Sequence, residues 1–344
     1  MKIGRRKVIA GMGMSAGALA LGFGARPLRA QQVEVTVAHG SPLTHVISTQ
    51  GVQNWMDRVT DLTGDAVKFN YFPTGQIAQL RELLSALQNG VADFVPIPVG
   101  YVSDKLPLNG VSMLPGLGAT SKAIVTAHGK GLEGGPLAEE FAAAQAKPLW
   151  VMAFPPYQIV STGAAIKTLE DFQGKVLRSA GGSMNLVIDS LGAAPAEIPV
   201  SDMYVALERG TAGGTISALS SLKPYKVDEI MTSASTNGSF GTFVNIFAAN
   251  TATWDRLPKE IQDAMVQAGE DTQASASSFM DAEIDGLIEE FEAGGKDMYA
   301  FAPDQLEAIN ARLAVVHDDW VKRLDDRGLP AGQVLADFRA AVAG

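Results

Sequence analysis

Asp171-Phe172-Gln173-Gly174-Lys175-Val176-Leu177-Arg178-Ser179-Ala180-Gly181-Gly182 packs a helical turn, a glycine stop, a short strand and a glycine-rich turn into twelve positions. Just before it, Thr168-Leu169-Glu170-Asp171 has the pattern of a capping box, with a hydroxyl followed three residues later by an acid. Gly174 ends that turn, and Lys175 to Arg178 reads as a strand. A helix follows around Leu186 to Leu191, then a strand into Ile198, then a helix from a Ser201 cap through Tyr204 and Leu207 to Gly210. Strands alternating with helices build α/β sheets, and ligands of open α/β sheets sit at the carboxyl ends of the strands. Arg178 stands at such an end. Its planar guanidinium can hold a carboxylate through two parallel hydrogen bonds, and the two glycines allow close approach to the backbone. From position alone, an arginine paired with a surface acid is the commoner case.

The same grammar extends outward in both directions. Val33 to His39 alternates as a strand and enters the turn Gly40-Ser41-Pro42; a helix carrying Trp55, Met56 and Val59 follows, then a strand over Val67 to Tyr71. Ile77, Leu80, Leu83, Leu84 and Leu87 form a helical stripe that stops at Gly90, before the apolar run Phe94-Val95-Pro96-Ile97. Ala86-Leu87-Gln88-Asn89-Gly90-Val91-Ala92-Asp93 is echoed by Ala206-Leu207-Glu208-Arg209-Gly210-Thr211-Ala212-Gly213, each a helix end running into a buried strand. Two lobes of similar construction explain the echo, and so does chance, because the pattern is a common one. Beyond Pro258 the chain reads as helix from Lys259 through Phe291, long enough to brace both lobes; Gly294-Gly295 ends it, and a last helix runs from Pro303 to about Leu324.

Met1 to Ala30 carries Lys2, Arg5, Arg6, Lys7, Arg26 and Arg29, no acid, and an apolar stretch from Val8 to Phe23, which is the make-up of an export signal. The Arg5-Arg6 pair suits the twin-arginine route, with the general secretory route as the alternative, and cleavage is expected near Ala30. Gly13-Met14-Ser15-Ala16-Gly17 spells a nucleophile elbow and Gly11-Met12-Gly13 imitates a dinucleotide-binding turn, but both fall inside this segment, without the preceding strand that gives either motif its meaning. Without the six basic residues of the signal, 21 basic face 37 acidic residues, a net charge of −16. That balance argues against nucleic acid or anionic lipid as a partner, so an anion must be held at a local basic site. The absence of cysteine excludes disulfides and thiolate chemistry. No later apolar run is long enough to span a membrane.

From Thr168 to Gly214 the chain resembles the substrate-binding proteins of TRAP transporters, the tripartite ATP-independent periplasmic family. The matching text is Asp171 to Arg178, Leu191-Gly192-Ala193-Ala194-Pro195, and Ile198-Pro199-Val200-Ser201-Asp202-Met203-Tyr204-Val205-Ala206-Leu207. Thr63-Gly64 followed by Tyr71-Phe72-Pro73-Thr74-Gly75-Gln76-Ile77, and Asn250 with Trp254-Asp255-Arg256-Leu257-Pro258, extend the likeness over nearly the whole chain after the signal. The resemblance implies an α/β, two-lobed fold of the periplasmic-binding-protein kind (type II-like) with a long helix bridging the lobes. It also implies that Arg178 grips the carboxylate of the ligand. Where many members carry a second arginine this chain has Tyr157; the acid of the family's V-V-D-G is Gly213, the asparagine of sialic acid binders is Ser217, and their glutamate falls near Pro98.

These departures strip charge from the cleft and leave Phe94, Tyr101, Phe154 and Tyr157 as candidate wall residues, favouring one carboxylate on an apolar or aromatic remainder. His39 and His45 flank the first strand-to-helix turn; His39, at the strand end, is the preferred second polar contact. His128 and His317 read as helix-surface positions. No histidine pair has metal spacing, and neither a cofactor nor a catalytic group is expected.

The expected molecule is therefore an extracytoplasmic, periplasmic solute receptor whose ligand residues are Arg178, Tyr157, His39, Tyr101, Ser217 and Phe154. Its partners are a small carboxylate and TRAP membrane subunits. Residues 31–155 with about 244–283 would form one lobe, and 156–243 with about 284–344 the other. The alternatives are a receptor that presents its ligand to a membrane sensor kinase, and an exported enzyme acting on a carboxylate.

Overall fold

The computed structural model describes residues 32–343, so the expected export signal and its cleavage point lie outside the described residues. Within that range there are eleven strands: β1 (Val33–Ala38), β2 (Val67–Phe72), β3 (Phe94–Pro98), β4 (Ala146–Ala153), β5 (Gln158–Ser161), β6 (Val176–Ser179), β7 (Ala194–Glu197), β8 (Gly214–Ser217), β9 (Ser233–Ser235), β10 (Val244–Asn250) and β11 (Asp297–Tyr299). They form two sheets, ordered β2-β1-β3-β10-β4 and β7-β6-β8-β5-β9-β11. In the first, β1 pairs in parallel with β2 and β3, and β10 is antiparallel to its neighbours. In the second, β6 pairs in parallel with β7 and β8, and β5 is antiparallel to its neighbours. The two lobes thus share one plan, in which the single reversed strand is the one the chain inserts after crossing over.

The sequence echo is part of that plan. Ala86 O accepts from Val91 N at 2.9 Å and Ala206 O from Thr211 N at 2.9 Å, while Asp93 N and Gly213 N bond to Thr36 O and Val176 O on the neighbouring strands β1 and β6. Gly90 and Gly210 take φ of 69° and 71°, the left-handed conformation a helix end uses when the chain must turn at once into a strand.

The chain passes between the sheets at 154–157 and again at 236–243, and these passages are bonded to each other: Phe154 N to Phe243 O at 3.1 Å and Tyr157 N to Gly241 O at 2.8 Å. The helix Lys259–Ala293 then packs on β4 and the helix Asn54–Thr63 in the first lobe and on β11 in the second. Thirty-five residues at about 1.5 Å each give a rod of roughly 50 Å, enough to brace both. Trp55 Nε1 donates to Met265 O at 3.0 Å and pins it to the first lobe. Around Trp55, the rings of Phe69, Phe94 and Phe247 lie 4.6–5.6 Å away, an aromatic core in which each fully buried phenylalanine contributes roughly 1.5–3 kcal/mol. Phe94 belongs to this core and not to a cleft wall.

Two further expectations are corrected. The stripe from Ile77 becomes helical only at Leu80, and the chain does not end with the helix Pro303–Asp325 but adds another, Ala331–Ala343, against the helix Ser121–Leu132. No helix among the described residues is long and apolar enough to cross a membrane.

Candidate functional site

Arg178 is 2 % exposed and has no carboxylate within salt-bridge distance among the described residues. The surface-acid reading of its position is therefore wrong. Isolated buried charge is strongly unfavourable unless an opposite charge or a set of hydrogen bonds answers it. Two bonds fix the side chain: Nε donates to Ile198 O at 2.7 Å and Nη2 donates to Tyr101 Oη at 3.0 Å. Nη1 has no hydrogen-bond partner among the described residues. The guanidinium is thus held in place by one edge and keeps donors free on the other.

Tyr101 comes from the opposite lobe, on the turn Val99–Val102 that follows β3. Its oxygen also accepts from Val200 N at 2.9 Å, so one phenol ties together three segments. The cavity that Arg178 faces is small, about 30 Å³, and walled by both lobes. Tyr157, Phe154 and Ser217 line it together with Arg178 and Tyr101, so five of the six expected ligand residues converge. Among the described residues, Arg178 is the one formally charged residue in the lining. Burial above all, with Tyr101 next, pushes the Tyr157 hydroxyl well above its ordinary value, although Arg178 pulls the other way; it is a neutral group.

His39 is not in the lining. Strand alternation turns it toward β2, where Nε2 meets Tyr71 Oη at 2.5 Å and Nδ1 accepts from Ser41 N at 3.2 Å, so both ring nitrogens are used. Its place is taken by His45, 2 % exposed, with Nε2 3.1 Å from Ser221 Oγ of the opposite lobe. Because Nδ1 of His45 accepts from Ile47 N, the proton sits on Nε2, and burial holds the ring's pKa near 3. His128 and His317 are not surface residues either. His128 is fully buried with Nε2 3.1 Å from Asn109 Oδ1, and half-buried His317 places Nε2 2.8 Å from Pro115 O.

The glycines after Arg178 serve the backbone more than the ligand. Gly181 and Gly182 have φ of 93° and 58°, and a Cβ on Gly181 would lie 2.8 Å from the Glu197 carboxyl carbon, so the turn is open only to glycine. Neither lines the cavity, whereas Ala180 does.

Tyr225, Asn245, Phe243 and Ser221 were not singled out from sequence, yet all line the cavity. Ser221 and Tyr225 follow β8, where the strand-end rule applied to Arg178 reaches, but Phe243 and Asn245 lie at the amino end of the reversed strand β10 and come beside Pro98 at the end of β3 only through the antiparallel pairing. A larger open cleft of about 880 Å³ lies near Pro115–Thr120 and the passage residues Pro155 and Pro156. Asp281 and Asp285 line it and no lysine or arginine among the described residues does, so the field of its described lining opposes an anion.

The family model described as bacterial extracellular solute-binding protein, family 7 (DctP), matches residues 38–323. The C4-dicarboxylate-binding periplasmic protein DctP of Rhodobacter capsulatus is 24 % identical over 316 residues, 86 % of each chain. Among solved structures, a TRAP solute-binding protein of Rhodoferax ferrireducens in complex with copurified benzoate superposes with a TM-score of 0.85 at 22 % identity, over 91 % of this chain and 98 % of that one. A TRAP periplasmic solute-binding protein of Bordetella bronchiseptica with bound (R)- and (S)-mandelate gives 0.82 at 24 % identity, over 90 % and 99 %. Identities this low establish a common fold, while the family match spans most of the sequence. A chain with this topology, a cationic cavity between two lobes and a family match of this length belongs to the DctP family, family 7 of the bacterial extracellular solute-binding proteins, which are receptors and not enzymes.

Proposed function

We propose that this protein is the periplasmic receptor of a TRAP-type transporter and captures an organic monocarboxylate with an apolar or aromatic remainder, anchored by Arg178. The observation that carries this reading is a buried guanidinium with no acid partner among the described residues, facing a cavity whose remaining described lining is neutral. A carboxylate answers the charge through short charge-assisted hydrogen bonds, and a single one suffices because no second cation lines the space. A dicarboxylate would leave its second charge among Tyr157, Phe154 and Phe243. The benzoate and mandelate of the two structural relatives each carry one carboxylate on an aromatic remainder, the chemistry this reading asks for.

In this reading the lobes, 31–155 with about 244–283 and 156–243 with about 284–344, part at the paired passages to admit the ligand. They close because the ligand makes its better contacts when Arg178 and Tyr101 face it together. The ligand-closed surface then docks on the membrane subunits. Ser221 and His45 do meet in the cavity, at 3.1 Å, but Nδ1 of His45 accepts from Ile47 N, so Nε2 carries the proton and is no base toward that hydroxyl; the family is one of receptors, and the enzyme and sensor alternatives are not favoured.

A thermal-shift screen of the chain after signal removal, against benzoate, phenylacetate, mandelate, succinate and malate, tests it. The monocarboxylates raise the melting temperature by mass action. A rise with succinate and malate alone would refute the ligand class, and no rise with any acid would refute the site.

A further inference from the structure

The cavity holds two polar groups that the carboxylate anchor does not use. Tyr225 Oη and Asn245 Nδ2 are both buried and have no hydrogen-bond partner among the described residues, and both residues line the space Arg178 faces. The Ser41 side chain lies beside Tyr225 but outside hydrogen-bonding geometry. Buried polar atoms are nearly always satisfied in native proteins, so two in one cavity point to a partner that arrives from outside.

We propose that Tyr225 and Asn245 form a neutral polar subsite beside the Arg178 anchor, selecting acids that carry a hydroxyl or carbonyl oxygen in addition to one carboxylate. The inference rests on the carboxylate reading above and narrows it. The chemistry of the donors decides the class: a phenol hydroxyl and an amide N–H both seek an acceptor oxygen, and neither brings a charge to offset a second carboxylate. His45 adds a third neutral donor, since its Nε2–H reaches the same cavity and now rests on Ser221 Oγ. Its ring packs edge-on to Tyr225 at 5.3 Å and to Phe154 at 5.8 Å, which fixes the direction in which that N–H points. An oxygen on the ligand would satisfy groups that a plain hydrocarbon remainder leaves bare. Sites built to bond a substrate oxygen reject the analogue lacking it, because the buried donors are then stranded.

The test pairs acids that differ by one oxygen: benzoate with 3-hydroxybenzoate, phenylacetate with mandelate, and butyrate with 2-oxobutyrate, each titrated by calorimetry into the protein after signal removal. At least one oxygen-bearing acid is expected to bind tenfold or more tightly than its plain partner. Tyr225→Phe, which keeps the ring packed on His45, should bring that ratio to within about threefold of one, and Asn245→Leu should do the same. The melting temperature of the ligand-free variants serves as the folding control, and Tyr225→Phe should hold or raise it because it removes an unsatisfied hydroxyl. Equal or weaker binding of every oxygen-bearing acid, or a ratio that survives both substitutions, overturns the subsite while leaving the Arg178 anchor intact. Failure of all six acids to bind overturns the anchor and the subsite together.

Discussion

The Tyr101 phenol reaches from one lobe to the Arg178 guanidinium of the other, 3.0 Å from Nη2 to Oη, and in the same position accepts the Val200 N–H at 2.9 Å. That single oxygen therefore does two things at once. It orients the cation at the carboxyl end of β6, and it bridges the two lobes beside the cavity.

Removing that oxygen leaves Arg178 Nη2 and Val200 N without their partner while the ring remains. Tyr101→Phe should weaken ligand binding by about 1–3 kcal/mol, on the order of tenfold to a hundredfold, as expected for a buried bond to a charged group. Calorimetric titration of the best ligand checks it, and unchanged affinity would mean that the phenol plays no part in orienting the guanidinium.

Arg178→Ala should cost about 2–5 kcal/mol of ligand affinity, the range seen when one partner of a buried charge pair is truncated. Arg178→Lys should restore only part of it, because an ammonium cannot hold Ile198 O, Tyr101 Oη and a carboxylate in one planar fork. Full restoration by lysine would reduce the role of Arg178 to that of a point charge.

Stability should fall on mild acidification. Burial holds the His45 and His128 rings near pKa 3 and His39 near 4, all below the ordinary value of 6.5. Between these limits the unfolded chain takes up protons that the folded chain refuses. Each histidine then withdraws stability as pH drops through 6.5, at up to about 1.4 kcal/mol per pH unit. Glu283 and Glu140 oppose them, since burial raises both carboxyls, that of Glu283 to about 7, but both are only half-buried, and His317, which burial also lowers, acts with the other three histidines. Thermal melts from pH 7 to 5 should show a falling melting temperature; a flat or rising one contradicts the buried neutral histidines.

Glu283 supports a separate test. It sits on the long helix with Oε1 buried and without a partner among the described residues, and its raised pKa means that the charged form is disfavoured in the folded state. Its contribution to stability is complete below the unfolded value near 4.5 and is lost as pH rises through 7. Glu283→Gln should accordingly raise the melting temperature at pH 8 and make little difference at pH 5. The same shift at both pH values would point to packing and not to charge.

Much of the frame could be read from the sequence, because local patterns carried it. The stretch 168–182 holds its cap, stop, strand and turn within reach of one another, and Asp171 does accept from Lys167 N and Thr168 N as a capping carboxylate should. The repeated helix-glycine-strand text marked equivalent places in the two lobes for the same reason. What lay beyond reach was set by long-range register. Whether His39 or His45 faces the cavity depends on which face of β1 lies over Tyr71, and β2 begins about thirty residues later. Phe94 and Phe154 are equally apolar in the sequence; one packs on Trp55 and the other on the cavity only because β3 and the first passage bring them to different neighbours. Tyr225 and Asn245 carry no local motif, and their importance appears only when strand ends from both lobes are brought together.

The central claim is that the Arg178 guanidinium is the anchor for one carboxylate between the lobes. A crystal structure with the tightest-binding acid of the screen tests it most directly. The expected result is a carboxylate within about 3 Å of Arg178 Nη1, enclosed by Tyr101 and Tyr157. An acid bound elsewhere, in the large cleft beside Asp281 for example, with Arg178 making no contact to it, would contradict the account.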